Sequence, residues 1–292
     1  MLVENRIIDG QIVEYDKVAV SIQRLKSFEP EEGYWLAFSG GKDSVVILAL
    51  AIMSGVRFYA YYSLTTVDPP ELVKFIKTSY PTVDVLKPKE SMWKLIVRKG
   101  FPPTRLKRYC GEILKETKGS GHITITGVRK AESSQRKKTR CLVNIGKRKS
   151  QRIVYNIDNE ESRRMVETCY KSMVTSLNII IDWTDEEVWE FIHKYNVPYC
   201  ELYDDGFKRL GCLGCPLSSN QKHELERYPK YARAYKRSFA KIIENRKAKG
   251  LPCNRQFESS DTLYDYFIGE YTGTGNDIMD NQIELQEDSN DD

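Results

Sequence analysis

The residues best equipped for chemistry stand together at Ser39-Gly40-Gly41-Lys42-Asp43-Ser44. Two adjacent glycines let a backbone turn tightly and approach a ligand with no Cβ in the way. Lys42 supplies a full positive charge, and Ser39 and Ser44 supply hydroxyl donors. If a helix begins here, its free N–H groups point at the same ligand. The helix dipole adds roughly 0.3–1 kcal/mol. The chemistry to expect is the binding of an anion, above all phosphate. The pattern is not a GxxxxGK(S/T) loop, because its two glycines are adjacent.

A second set is made of thiols. The chain has seven cysteines, Cys110, Cys141, Cys169, Cys200, Cys212, Cys215 and Cys253. The count is odd, and MLVENRIIDG has no basic-then-apolar signal pattern. A disulfide framework is therefore not expected, and the setting expected is cytoplasmic. Cys212-Leu213-Gly214-Cys215-Pro216 is a CxxC in a tight turn. With Cys110 and Cys200 it offers four thiolates, which suit a four-iron four-sulfur cluster or a tetrahedral zinc. Alone, the CxxC could equally be a redox pair. Cys141 and Cys253 read as ordinary small side chains. His122, His193 and His223 join no constellation.

These groups need elements to place them. Tyr34–Phe38 reads as a buried strand that ends at the loop, and Val45–Met53 as a helix stopped by Gly55. Strands are expected at Arg57–Tyr62, Asp84–Leu86, His122–Thr126 and Leu177–Ile181. Helices are expected at Glu71–Thr78, Met92–Arg98 and Tyr228–Lys249. Residues 14–28 show helical spacing, with Val18, Ile22, Leu25 and Phe28 on one face. Thr184 and Glu187 form a capping box that opens another helix. Alternating strands and helices predict an α/β fold, a doubly wound and mainly parallel sheet. In such sheets ligands sit beyond the carboxyl ends of the strands.

Composition limits the remaining classes. At 292 residues, 40% hydrophobic and 29% charged, the chain has material for one large domain or two ordinary ones. Its longest apolar run, Val45–Met53, is nine residues. A membrane-spanning helix needs about 20, so no membrane partner is expected. Net charge is +4, but Glu270–Asp292 holds eight carboxylates and no Lys or Arg, which leaves +12 on residues 1–269. Residues 129–152 contain ten Lys or Arg and one acid, Glu132. A polyanionic ligand or a nucleic acid, DNA or RNA, fits this balance, with the segment 129–152 as its contact.

AFSGGKDS resembles the PP-loop signature of the adenine nucleotide alpha-hydrolase-like superfamily. Residues 62–77, 104–115, 126–136, 180–189 and 198–216 extend that likeness. Over about 30–240 the chain resembles the phosphoadenosine phosphosulfate (PAPS) reductase family, in an iron–sulfur branch related to DNA phosphorothioation sulfurtransferases. The resemblance implies a nucleotide site. Ser39, Gly40, Gly41, Lys42, Asp43 and Ser44 would hold the β and γ phosphates of ATP, or the corresponding anion of PAPS. Thr65 and Asp68 would lie near adenine or ribose, and Gly127 and Arg129 would face the phosphates. Glu132 and Arg136 could pair across one helical turn and orient the site. Lys42, Asp43 and Arg129 are the expected catalytic residues, with magnesium bridging phosphate oxygens beside Asp43.

Relatives also pair a cysteine near RYC with a later CxxC, which implies a cluster held by Cys110, Cys200, Cys212 and Cys215. Many relatives have a second cysteine where this chain has Gly111. Cys200, twelve residues before Cys212, is therefore the expected fourth ligand, with Cys169 in reserve. The expected regions are an N-terminal helix over 1–29, a nucleotide-binding α/β domain over 30–200, a helical cysteine-bearing section over 201–269 and an acidic tail over 270–292.

The reaction expected is ATP cleavage between the α and β phosphates, which adenylates an acceptor for sulfur transfer, with a cysteine desulfurase as a possible sulfur donor. The alternative is thiol-dependent reduction of PAPS or adenylylsulfate to sulfite. That chemistry uses an ECG(I/L)H motif in the reductases, which this chain lacks. A third reading is a non-enzymatic nucleotide- or nucleic-acid-binding protein.

Overall fold

The computed structural model describes residues 1–8, 10–116, 121–132, 142–145, 175–251, 253 and 255–271. Arg136, Cys141, Cys169, most of the basic segment and nearly all of the acidic tail lie outside them. The chain divides into two compact units. The first comprises Met1–Leu64, Asp68–Lys87 and Leu114–Gly211. The second comprises Thr65–Val67, Pro88–Ile113 and Cys212–Asp292.

The first unit is the expected α/β fold. An antiparallel hairpin, β1 (Val3–Ile8) and β2 (Gln11–Asp16), leads into helix α1 (Lys17–Ser27). The main sheet has six strands in the order β5-β4-β3-β6-β8-β7. These are β3 (Tyr34–Phe38), β4 (Phe58–Ser63), β5 (Asp84–Leu86), β6 (Ile123–Ile125), β7 (Val143–Ile145) and β8 (Thr175–Leu177). All pairings are parallel except that of β7 with β8. The chain runs outward from β3 to β4 and β5, then returns to β6 on the other side of β3. The order therefore reverses between β3 and β6, and the crevice beyond their carboxyl ends is the expected ligand position.

Helix α2 (Lys42–Ser54) explains the longest apolar run. Val45, Val46, Ile47, Leu48, Leu50 and Ala51 are all buried, so the helix is enclosed on nearly every side. It packs against α1 and against α5 (Asp185–Lys194). A helix apolar all round belongs at the centre of a core. Helix α3 (Pro70–Ser79) supplies Leu72 and Ile76 to the same core.

The second unit is largely helical. It contains α4 (Met92–Lys99), α6 (Gln221–Arg227), α7 (Pro229–Ala248) and α8 (Ser260–Ile268). Helix α7 packs against α4 and α8 through Tyr235, Phe239 and Ile242. Trp93 meets Tyr235 edge-on at 5.0 Å. Tyr235 is fully buried, and its hydroxyl donates to the Leu213 carbonyl at 2.9 Å.

Two expectations need correction. Residues 14–16 belong to a strand, so helix α1 starts only at Lys17, where the Asp16 carboxylate caps the N–H groups of Val18 and Ala19. The strand expected over Leu177–Ile181 is Thr175–Leu177, and the chain leaves the sheet at Asn178. Ile179, Ile180 and Ile181 are buried in successive turns instead, closed by Ile181 N–H to Asn178 O and Trp183 N–H to Ile180 O. A short apolar run shows burial without showing its backbone conformation.

One buried ion pair ties α1 to α5. Lys17 Nζ lies 2.6 Å from Glu187 Oε1, with side chains 6% and 4% exposed. Glu187 Oε2 also accepts the Thr184 N–H at 2.9 Å, completing the capping box. Burial works against the ionised Glu187, but the Lys17 bond and the Thr184 amide outweigh it and hold its carboxyl below the usual range. A depressed folded value stabilises the protein above the unfolded value near pH 4.3 and is lost as pH falls through the folded one. Glu187→Gln leaves Lys17 buried without its counter-charge and should cost about 3 kcal/mol at pH 7. Urea unfolding at pH 7 and pH 4 should show that loss at pH 7 and a smaller gap between variant and parent at pH 4.

Candidate functional site

The site is built where β3 meets α2. Gly40 adopts φ +71°, and a Cβ there would come within 2.6 Å of Leu72 and 2.9 Å of Ile76. Conformation and packing both require glycine at that position. Gly41 caps α2 without any side-chain bond to the first turn. Ser39 and Ser44 are used inside the loop: Ser44 Oγ donates to Gly41 O at 2.8 Å and Ser39 Oγ donates to Ser44 Oγ at 3.2 Å. The Lys42 N–H donates to the Tyr203 hydroxyl at 2.8 Å.

Beyond β6 the chain closes on this loop. Gly127 comes so near α2 that a Cβ there would lie 2.9 Å from Asp43 Cβ. Arg129 is 1% exposed, the second largest fully buried side chain described. Its Nε donates to Asp43 Oδ1 at 2.6 Å and its Nη2 to Asp185 Oδ1 at 2.5 Å. Its Nη1 reaches Trp183 O at 3.4 Å, and its N–H donates to Glu132 Oε1 at 3.0 Å. Lys42 Nζ lies 3.4 Å from Asp185 Oδ1 and 4.0 Å from Asp43 Oδ2.

Two cations and two carboxylates are thus interlocked, and their environments split the carboxylates. Burial raises the Asp43 carboxyl, further helped by Glu132, although Arg129 and Lys42 pull it back. Burial also opposes the charge on Asp185, but Arg129 and Lys42 overcome it and lower that carboxyl. Burial keeps the Tyr203 hydroxyl protonated, with Asp43 and Asp185 adding to the effect. Tyr203 packs edge-on against Trp189 at 5.1 Å.

The expected loop residues, Gly127, Arg129 and Glu132 therefore come together. Asp185 and Tyr203 join them and were not singled out from the sequence. Asp185 had a signal: an acid at the start of a helix that follows a sheet strand. Tyr203 had none, because an aromatic residue in PYCELYDD reads first as core. Thr65 is in the second unit, where its buried hydroxyl accepts from Cys212 Sγ at 3.3 Å. Asp68 is buried in the first unit. Arg136 lies outside the described residues.

The cysteines do not assemble as expected. Among the described residues, no group of three or more His, Cys, Asp or Glu side chains is arranged to hold a metal ion. Cys200 is a fully buried member of the apolar core of the first unit. Cys110, Cys212 and Cys215 are half-buried in the second unit and close enough to sense one another. Burial, then the neighbouring thiols Cys212 and Cys215, push the Cys110 thiol up to about 11.

Residues 33–218 match the phosphoadenosine phosphosulfate reductase domain. The chain belongs to that family. A protein of Methanocaldococcus jannaschii of uncharacterized function is 31% identical over 197 residues, covering 63% of this chain and 41% of its own length. A second protein from that organism is 25% identical over 240 residues, covering 77% of this chain and 45% of its own. The chain thus spans less than half the length of these curated relatives. An adenosine 5'-phosphosulfate reductase of Oceanobacillus iheyensis is 47% identical over 36 residues, 12% of this chain and 15% of its own. Among solved structures, a PAPS reductase of Candida auris in a phosphate complex is 19% identical, with TM-score 0.44 over 66% of this chain and 87% of its own. The family is one with a nucleotide-binding fold, and the loop and its ionic network lie within the matched residues.

The network predicts how the loop meets an anion. Asp185 holds both loop cations through a carboxylate 55% exposed, so an incoming anion competes with it. Asp185→Asn should tighten magnesium-free pyrophosphate binding by up to about fivefold, the weight of one partly exposed ion pair. Titration calorimetry in a chelator reads this directly, and an unchanged affinity would mean that Asp185 does not compete. Gly127→Ala forces a Cβ into Asp43 and should cost about 1–3 kcal/mol of stability, measurable by thermal melting.

Proposed function

We propose that this chain binds ATP with magnesium, cleaves it between the α and β phosphates and adenylates an acceptor for sulfur transfer. The observation that carries this reading is charge balance. Lys42 and Arg129 are already matched by Asp43 and Asp185, with Glu132 beside them. Among the described residues, each cation that meets the loop acids is already shared with a carboxylate, which favours a ligand that brings its own positive charge. ATP carries magnesium, whose chemistry is to neutralise the phosphate oxygens and polarise the α-phosphorus.

The residues would then act as follows. The N–H groups opening α2 and the Lys42 ammonium would hold the β and γ phosphates. Asp43 and Asp185 would turn their carboxylates toward the cation, with Arg129 as the positioning residue between them. An acceptor oxygen would attack the α-phosphorus, the α–β bridge would break, and pyrophosphate would leave onto the loop. Stabilising that leaving charge is the largest electrostatic contribution such a site can make. A sulfur nucleophile would later displace AMP. Thr65 and Asp68 remain the residues proposed for adenine or ribose.

Cys110, Cys212 and Cys215 have the soft chemistry for a four-iron four-sulfur cluster or zinc; Cys200 is buried in the core of the first unit, and Cys169, the reserve ligand, lies outside the described residues. Iron and zinc analysis of anaerobically purified protein tests for a metal directly: about four irons per chain supports the cluster, and stoichiometric zinc replaces it. The acceptor proposed is a nucleic acid held through 129–152, with a cysteine desulfurase as the sulfur donor and the cytoplasm as the setting.

Family membership favours a second reading, thiol-dependent reduction of PAPS or adenylylsulfate. Cys253 is exposed and is the only cysteine after Cys215. Calorimetric titration separates the two. ATP with magnesium should bind at least tenfold tighter than PAPS, about 1.4 kcal/mol, and Asp185→Asn should weaken it although the same change tightens metal-free pyrophosphate. PAPS tighter by that margin, without a magnesium requirement, would restore reduction and make Cys253 its nucleophile.

A further inference from the structure

The outer face of α7 has no place in the nucleotide chemistry. Its inner face, Tyr235, Ser238, Phe239, Ile242 and Ile243, is buried. On the opposite side Lys230, Arg233, Arg237 and Lys241 are charged and exposed or nearly so. Their spacing of three, four and four residues puts them on one stripe of the helix. At 1.5 Å per residue the stripe is about 16 Å long.

Several other surface bases are paired. Lys236, on the same helix, bonds Asp261 at 2.6 Å, and Arg57 meets Glu29 at 3.4 Å. Lys222 pairs with Glu270, and Arg98 with Glu90. Among the described residues, no carboxylate, ring or other partner meets Lys230, Arg233, Arg237 or Lys241. Glu244, one turn past Lys241, ends the stripe. An ordinary solvated face mixes charges of both signs. Four unpaired cations in a row set up a local positive potential that an anion of matching length would relieve.

We infer that the outer face of α7 is a contact for a nucleic-acid duplex, made through its phosphates. A straight, rigid row of cations suits a backbone whose charges also repeat regularly. A membrane fits worse. An interfacial helix turns its apolar face to the lipid, and the apolar face of α7 is already in the core. A single strand also fits worse. Strand binders stack bases on aromatic side chains, and none stands on this stripe. Tyr231 lies to one side, with its ring against Tyr228 and Trp93. The contact is independent of the proposed adenylation, since binding is read without turnover.

The test is fluorescence anisotropy of the full chain with a labelled random-sequence DNA duplex of about 20 base pairs, between about 50 and 200 mM salt. Four phosphate contacts add about −3.6 to the slope of log K against log salt, at −0.9 each. Replacing Lys230, Arg233, Arg237 and Lys241 together by Gln should remove that share and weaken binding at least tenfold. Arg237→Gln alone should lower the slope by about one. All four side chains are on the surface, so the unfolding midpoint should barely move.

A control carries Lys137→Gln, Lys138→Gln, Arg140→Gln and Lys147→Gln. If it alone loses binding and the α7 variant does not, the contact lies in the basic segment and the inference fails. It fails equally if the duplex does not bind. It also fails if polyglutamate, anionic phosphatidylserine vesicles or a single-stranded RNA of equal length binds α7 as tightly as the duplex does.

Discussion

A buried guanidinium cannot lose its charge, so it must be given carboxylates. Arg129 is 1% exposed, and every nitrogen of its head is used. That requirement organises the first unit. Asp43 comes from the first turn of α2, Asp185 from the first turn of α5, and Arg129 from the segment after β6. Three separate elements are brought to one point by one cation. Removing either carboxylate would leave a buried charge short of its partner, which costs more than the pair itself contributes. The same cation fixes where the two acids point.

The geometry of the loop follows from packing as much as from charge. Helix α2 is enclosed on nearly all sides, so its first turn cannot drift. Gly40 is pressed against Leu72 and Ile76 of α3, and Gly127 is pressed against Asp43. Each contact excludes a single methyl group. A phosphate site made of backbone N–H groups needs this kind of support, because its donors cannot re-aim the way side chains can. These contacts hold the loop in shape, and the Lys42 amide donates to the Tyr203 hydroxyl.

Much of this was legible from sequence, for identifiable reasons. SGGKDS between a strand and a helix carries its function in local conformation, so its place beyond β3 was readable. The capping box at Thr184 and Glu187 was readable for the same reason. Relations between distant positions were not. Nothing local in IDWTDEEVW says that Asp185 meets Lys42, 143 positions earlier. Tyr203 was hidden because burial and binding ask for the same residue type. Cys200 was ambiguous in the opposite direction. Its spacing from Cys212 suggested a ligand, yet a cysteine is also a small apolar side chain, and the core took it. The run LNIII misled because burial without alternation fits a buried turn as well as a strand.

The pairing of charges in the site bears on what kind of anion it can accept. A site with unmatched cations binds phosphate or sulfate esters without help. Here, among the described residues, Lys42 and Arg129 are each shared with at least one carboxylate, and Glu132 adds a third acid close to Asp43. Bringing a polyphosphate into that field alone would set three acids and several phosphate oxygens against two cations. A divalent ion brought by the ligand would turn the same carboxylates from a source of repulsion into ligands, with Arg129 as the residue that positions them. On the proposed reading, the acids around the loop would favour anions that arrive with a cation.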